Sequence, residues 1–243
     1  MGYFTVEIKP TIAASKQALG AFAAKDVLFD WTSFDVPKGA NKLVDVAFIV
    51  RGTDGAYQEK DAILYFAKSK DGGNTAPGSI GTVHATADGN GYFDHVLSAA
   101  QIMTTDFKEG LDHLSIASLG HGAAANYVPK IVLQGEPESG TNVGFDKLYV
   151  ASTCGQYNFA STVQVSTETA TSTSALVVKN IDARVAFAVG DILHDEDDQL
   201  IGTIKTITDA TNIVLEENAA SVSAVNKDLY NISPVKIILS FEK

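Results

Sequence analysis

The run His194-Asp195-Glu196-Asp197-Asp198 is the most pointed chemical feature of this sequence. Clustered carboxylates supply the hard oxygen ligands that calcium takes, but the spacing is not that of an EF-hand loop and no glycine stands at its sharp turn. Between GDIL and QLIGTI the run reads instead as an outward-facing hairpin tip, whose like charges are tolerable because water and salt screen them. The five histidines, His84, His95, His113, His121 and His194, form no H-E-x-x-H or His-x-His pattern. A zinc site would therefore have to be gathered from distant residues. Cys154 with a histidine could make a nucleophile and base. No cysteine-hydrolase signature surrounds Ser152-Thr153-Cys154-Gly155, so a small residue packed in a β domain is the simpler reading. There is no G-x-S-x-G elbow. Asp71-Gly72-Gly73-Asn74 and Asp88-Gly89-Asn90-Gly91 lack the Lys-Ser/Thr ending of a phosphate loop and read as turns. The expectation is a non-enzymatic chain with no catalytic residue, no cofactor and no metal.

The aromatic residues divide by position. Trp31, Phe29, Phe48 and Phe66 fall at strand spacing and are expected in the core rather than on a sugar-binding platform. Tyr92-Phe93 and Tyr157-Asn158-Phe159 lie near expected loops. Tyr92, Phe93, Tyr157 and Phe159 are therefore candidate contact residues, since aromatic rings supply large interface area at modest entropic cost.

The elements that must position these groups are strands. Short runs rich in Val, Ile, Phe and Tyr recur between Gly, Asp, Asn and Pro, the pattern of antiparallel β-structure. Asp26 to Val36 predicts a core strand with Val27, Phe29 and Trp31 on one face. Lys42 to Arg51 is apolar on both faces, which predicts a central strand. The Thr53-Asp54-Gly55 turn is expected to join it to Ala62–Ala67 as a hairpin. Leu114 to Leu119, Tyr127 to Leu133, Lys147 to Ser152 and Lys236 to Lys243 continue the series. His95 to Phe107 is open between short helix and irregular strand, and Ala13 to Ala24 between helix and extended arm. The segment from Met1 to Ala24 is expected to reach a neighbouring subunit. The fold class is all-β, an antiparallel β-sandwich or jelly roll with a small acidic β-barrel-like module near the C-terminus.

Composition sets that module apart. Residues 166 to 174 (STETATSTS) hold seven Ser or Thr and read as a linker. Beyond them ALVVK, AVGDILHD, QLIGTIKTI and NIVLEEN make a compact set of short strands. Residues 164 to 232 carry 4 basic and 11 acidic residues, against a net charge of −11 for the whole chain of 243 residues. The expected division is a sandwich over 1–163, completed by 233–243, with the acidic module, 164–232, inserted before the last strand. Net negative charge argues against nucleic acid or an anionic membrane as partner. A single cysteine excludes an internal disulfide framework. The charged, alternating start MGYFTVEIKP is not expected to be a signal peptide, and no apolar run approaches the roughly 18 residues of a membrane span.

Three stretches carry a resemblance. The Ile-Lys-Pro-Thr strand, Asp26-Val27-Leu28-Phe29-Asp30, the Pro37-Lys38-Gly39-Ala40 turn and KLVDVAFIVRGTDG together resemble virion structural proteins of tailed bacteriophages. KLYVASTCGQYNF is similar to the penultimate strand of that β-sandwich. Val189-Gly190-Asp191-Ile192-Leu193, Leu200-Ile201-Gly202-Thr203-Ile204 and Asn212-Ile213-Val214-Leu215 are similar to a β-rich element of phage capsid and tail proteins. The resemblance implies a capsid decoration or accessory protein of the virion, made in the host bacterial cytoplasm. Its expected partners are the major capsid protein or other virion subunits, and its expected state a homo-oligomer, most simply a trimer. The alternative it leaves is a tail or fibre module that binds a receptor or carbohydrate.

Overall fold

A computed structural model describes residues 2–68, 77–85, 95–119, 131–135 and 145–243. The strands are β1 (Tyr3–Ile8), β2 (Asp26–Pro37), β3 (Ala40–Arg51), β4 (Ala62–Ala67), β5 (Val96–Ile102), β6 (Phe107–Glu109), β7 (Leu114–Leu119), β8 (Ile131–Gln134) and β9 (Phe145–Cys154). They continue as β10 (Gln164–Val165), β11 (Ala175–Lys179), β12 (Ile192–Asp195), β13 (Leu200–Ile207), β14 (Asn212–Leu215), β15 (Leu229–Asn231) and β16 (Val235–Glu242). Among the described residues two single-turn α-helices, α1 (Ala14–Gln17) and α2 (Ala183–Ala186), interrupt them.

All strand pairings are antiparallel and fall into three sheets. The largest runs β1-β16-β3-β7-β6, with β8 also on β3, and the second runs β2-β9-β4-β5. Residues of both feed one hydrophobic core: Leu43, Val46, Phe48, Val50, Ile237, Leu239 and Phe241 from the first, Phe34, Leu64, Phe66, Leu148 and Val150 from the second. The third sheet, β10-β11-β14-β13-β12-β15, nearly closes on itself. A bridge joins Gln164 to Asp228, and the Leu229 amide donates to the Val163 carbonyl at 2.9 Å. Its interior is a separate cluster that includes Val165, Leu176, Val178, Leu193, Ile201, Ile204, Ile213 and Leu229. After this excursion the chain returns as β16, which inserts between β1 and β3.

Several expectations need correction. β3 and Ala62–Ala67 are not a hairpin, because they belong to different sheets. Thr53-Asp54-Gly55 does turn tightly, with the Ala56 amide donating to the Thr53 carbonyl at 2.9 Å, but residues 57–61 then carry the chain to the second sheet. Gly52 permits this approach: a Cβ there would lie 2.1 Å from the Ala56 carbonyl oxygen. β3 is central as expected, with one face fully buried and the other only half-buried. Its register slips opposite Ser240/Phe241, which brings Leu43 onto the buried face with Val46. Residues 95–107 resolve as β5 and a 3₁₀ turn at Thr104–Asp106.

The N-terminal segment is not a free arm. β1 pairs along its whole length with β16, and Phe4 stacks on Phe241 with centroids 5.1 Å apart. Ile12, Ala14 and Phe22 are buried. Gln17, also buried, donates through Nε2 to the carbonyls of Ile12 (2.7 Å) and Asn231 (2.8 Å), tying α1 to the barrel strand β15. The Ser/Thr-rich stretch 166–174 is likewise no loose linker. Thr169 is buried, exchanges backbone hydrogen bonds with Ser223 and lies against the barrel.

Removing residues 2–8 is accordingly expected to abolish cooperative unfolding, where loss of a mere assembly arm would leave it unchanged. Phe241→Ala, which empties the centre of the same seam, is expected to cost about 3–5 kcal/mol in a denaturant titration.

Candidate functional site

The second sheet buries one face in the main core and part of the other around Trp31, Ala67, Ala151 and Thr153, and this outer face carries the candidate site. Along β4, Ala62, Leu64 and Phe66 point into the main core, so Tyr65 points out. Along β9, Leu148 and Val150 point in, while Tyr149, Ala151 and Thr153 face outward. β2 brings Trp31 to this face by simple alternation with Phe34 and Val36, which point into the main core. Its register against β9 shifts twice, between Val27 and Phe29 and again between Phe29 and Thr32. Those irregularities send Leu28 and Phe29 together into the main core and so place Phe29 on the opposite side of the sheet from Trp31. The expectation that Val27, Phe29 and Trp31 share a face is thereby corrected. Phe29, Phe48 and Phe66 are core residues of the main cluster, but Trp31 packs with Ala67 and Ala151 in a small cluster of its own.

Residues 77–85 form the facing wall. They are pinned to the edge of β2 by the Val27 amide donating to the Thr82 carbonyl (2.8 Å) and the Gly81 amide donating to the Val27 carbonyl (2.9 Å). Between this wall and the sheet lies a cavity of about 400 Å³, lined among the described residues by Trp31, Tyr65, Pro77, His84, Ala85, Val96 and Thr153. Its surface is mainly apolar with a few convergent polar groups, the composition typical of ligand sites. The Tyr65 and Thr153 hydroxyls lie 3.3 Å apart in a hydrogen bond, and His84 Nδ1 is 3.1 Å from the Ala85 carbonyl. A second, more polar cavity of about 220 Å³ opens at the junction with the barrel. Its Arg51 is paired with Asp112 (3.1 Å) and lies 3.9 Å from Asp191, and its Lys236 faces Glu7 at 3.9 Å. Burial pushes the Asp191 carboxyl above its usual range, against the opposing pull of the Ala188 amide and of Arg51.

The residues singled out from the sequence are taken up differently. Tyr157 and Phe159 are fully buried, so they are not contact residues on the surface of this chain. Their rings stack at 5.7 Å, Phe22 meets Phe159 edge-on at 6.0 Å, and the Tyr157 hydroxyl donates to the Lys60 carbonyl at 2.5 Å. Burial holds the Tyr157 phenol above its ordinary titration range. Tyr92, Phe93, His121 and the two glycine turns at 71–74 and 88–91 lie outside the described residues.

The acidic run is a hairpin tip between β12 and β13, as expected, with Asp197 and Asp198 exposed, but its carboxylates are engaged. Asp195 is buried and its Oδ1 accepts from the amides of Asp197 and Gln199, both at 3.0 Å. Lys227 donates to Glu196 (2.8 Å) and Asp197 (2.6 Å), and these two bonds raise its pKa. Asp198 accepts from the Ser15 amide at 2.9 Å, and His194 Nδ1 lies 2.9 Å from the Asp198 carbonyl. Among the described residues no group of three or more His, Cys, Asp or Glu side chains has a metal-holding arrangement. Cys154 is buried in the main core, where desolvation, with a smaller contribution from Asp26, pushes its thiol up to about 12.

Compared with known proteins, the chain matches no family model and no curated protein.

The strand expectations for Ala62–Ala67 and Lys147 to Ser152 assign no face to either run, so they do not point to the cavity. The signal that could have found it is the second apolar face of each run, Tyr65 and Ala67 on one and Tyr149 and Ala151 on the other, which needs a cover.

Two outcomes follow from these environments. Asp195→Ala is expected to lose about 1.5–3 kcal/mol of stability, the worth of hydrogen bonds to a buried carboxylate, and added calcium is expected to leave the melting of both forms unchanged. Native Cys154 is expected to resist thiol reagents at neutral pH. Its folded value is raised above the ordinary 9.0, so the unfolded chain loses this proton first. Its contribution to stability is therefore complete below pH 9 and declines as pH rises from 9 towards 12. Comparison of wild type with Cys154→Ala by denaturant titration across that window checks the sign.

Proposed function

We propose that the chain is a non-enzymatic structural protein of a tailed-bacteriophage virion, a β-sandwich with an acidic barrel that docks on the capsid lattice as a decoration or accessory subunit. The observation that carries this reading is where the phage-like segments fall in the fold. Asp26-Val27-Leu28-Phe29-Asp30 lies in β2 and KLYVASTC in its neighbour β9, both in the second sheet, and KLVDVAFIVR lies in β3 at the centre of the first. The third set lies in β12, β13 and β14, neighbours in the barrel. The likeness therefore reaches each of the three sheets, through strands and through the turn from β2 to β3.

The chemistry-bearing groups support a binding role over a catalytic one. The Cys154 thiol is held protonated by burial, Asp195 organises a turn, and Lys227 is spent on two carboxylates. Each is accounted for by the fold. Recognition of the lattice then rests on strand edges, loops and exposed apolar residues such as Leu111, 90% exposed on the β6–β7 turn. The net charge of −11 favours neutral or basic protein surfaces as partners over nucleic acid.

Purified, labelled protein mixed with separated phage heads, tails and host cells tests this. Retention on heads at regular sites, seen by cryo-electron microscopy, is the expected result. Retention on tails or cells alone would overturn the decoration role in favour of a receptor-binding module.

A further inference from the structure

We propose that the cavity on the outer face of the second sheet is a binding site for a phenol-type ring, a neutral aromatic ring bearing one hydroxyl. The inference is independent of the virion assignment. Three features carry it. The first is shape and size. About 400 Å³ between Trp31, Tyr65, Pro77 and Val96 accommodates an aromatic ring between flat or apolar walls. The second is that the wall is a layer of its own: Trp31 packs with Ala67 and Ala151 in a cluster separate from the main core, which fixes the indole beside the cavity.

The third feature is the number of polar partners. The described wall offers three polar side chains, the hydroxyls of Tyr65 and Thr153 and the imidazole of His84. Two of these already bond each other, and His84 Nδ1 is engaged with the Ala85 carbonyl. The hydroxyl pair has one hydrogen to spare, whichever oxygen donates, and it also has unused lone pairs. With Nδ1 donating to that carbonyl, His84 keeps Nε2 as an acceptor. That inventory satisfies a single ligand hydroxyl, which accepts the spare hydrogen and donates to one of these acceptors. A pyranose would bring several hydroxyls into the same space, and each one buried without a partner weakens binding by about tenfold or more. A fully apolar ring would leave the Tyr65–Thr153 pair half-satisfied. The described residues lining the cavity include no Lys, Arg, Asp or Glu, so the ligand they suit is uncharged.

The ring can come from a free phenol or from a tyrosine side chain of another protein, and two probes separate the sources. Trp31 is the only tryptophan in the chain, so its emission reports occupancy of this cavity directly. Para-fluorophenol is titrated into the full-length protein, read by Trp31 emission and by fluorine NMR, alongside fluorobenzene, N-acetyltyrosinamide and methyl glucopyranoside. Saturable binding of para-fluorophenol is expected, about tenfold tighter than that of fluorobenzene. Binding of N-acetyltyrosinamide as well assigns the site to a protein side chain, whereas exclusion of it assigns the site to a free phenol. Thr153→Val, close in shape to the native residue, is expected to erase the preference over fluorobenzene while the protein still melts cooperatively. Val96→Arg is expected to block all binding. No saturable response to either phenol, a preference unchanged in Thr153→Val, or tighter binding of the glucopyranoside would each overturn the proposal.

Discussion

The pairing of β16 with β1 on one side and β3 on the other is the contact on which the rest of the molecule depends. It joins the two ends of the chain, down to the Gly2 and Lys243 backbone groups that exchange hydrogen bonds at 3.2 and 2.9 Å. Until β16 arrives, β3 lacks a neighbour on one side and β1 has none. The buried row Val235, Ile237, Leu239 and Phe241 is also absent from the core. The barrel is complete by Asn231, just upstream of that strand, so it can close first on contacts local to its own segment. The large sheet must wait for a pairing that spans nearly the whole sequence, a topology that makes its closure the slow step of folding.

The same connection fixes the barrel to the sheets. Its chain leaves through residues 155–163 and returns through 232–234, and both passages are tied down. Thr162 donates through its amide and hydroxyl to Asp54 at 2.9 and 2.8 Å, and Ile12 donates from its amide to the Ile232 carbonyl at 2.7 Å. Gln17 adds its two bonds from a fully buried amide, and Arg51 reaches both Asp112 and the barrel residue Asp191. A hydrogen bond to a buried group is worth more for what its loss would strand than for its own gain. Gln17 therefore acts as a peg, since displacing the barrel would leave a buried carboxamide without partners.

Much of this architecture is legible in the residues. The strands of both bodies, the acidic barrel and the turn at Asp209, whose carboxylate accepts from the Thr211 and Asn212 amides, all follow from apolar runs and turn chemistry. The failures share one cause, that alternation is a local rule and register is not. KLVDVAFIVR reads as apolar on both faces, yet a slip near Leu43 sorts its residues onto one buried face. DVLFDW reads as a single face, yet two slips divide Phe29 from Trp31. Nothing in either string marks these shifts, because they are set by the partner strand that the residue meets. The stretch STETATSTS fails differently: its polarity forbids a core but not a place against one, and backbone pairing with Ser223 holds it there.

Trp31 links these arguments. Facing away from the main core, it lies between its own sheet and the strap of residues 77–85, where it completes a second, smaller apolar layer with Ala67 and Ala151. That layer has small residues where a well-filled core would have large ones. Ala67, Ala85 and Ala151 stand around an indole and two tyrosines, so the aromatic rings hold the strap and the sheet apart while the alanines fail to fill the gap. A gap left open among the described residues forfeits contacts that a single Ala-to-Leu exchange could restore. A chain that packs its main core with Phe, Leu and Ile has the means to fill this space, and its small residues leave room there for something else.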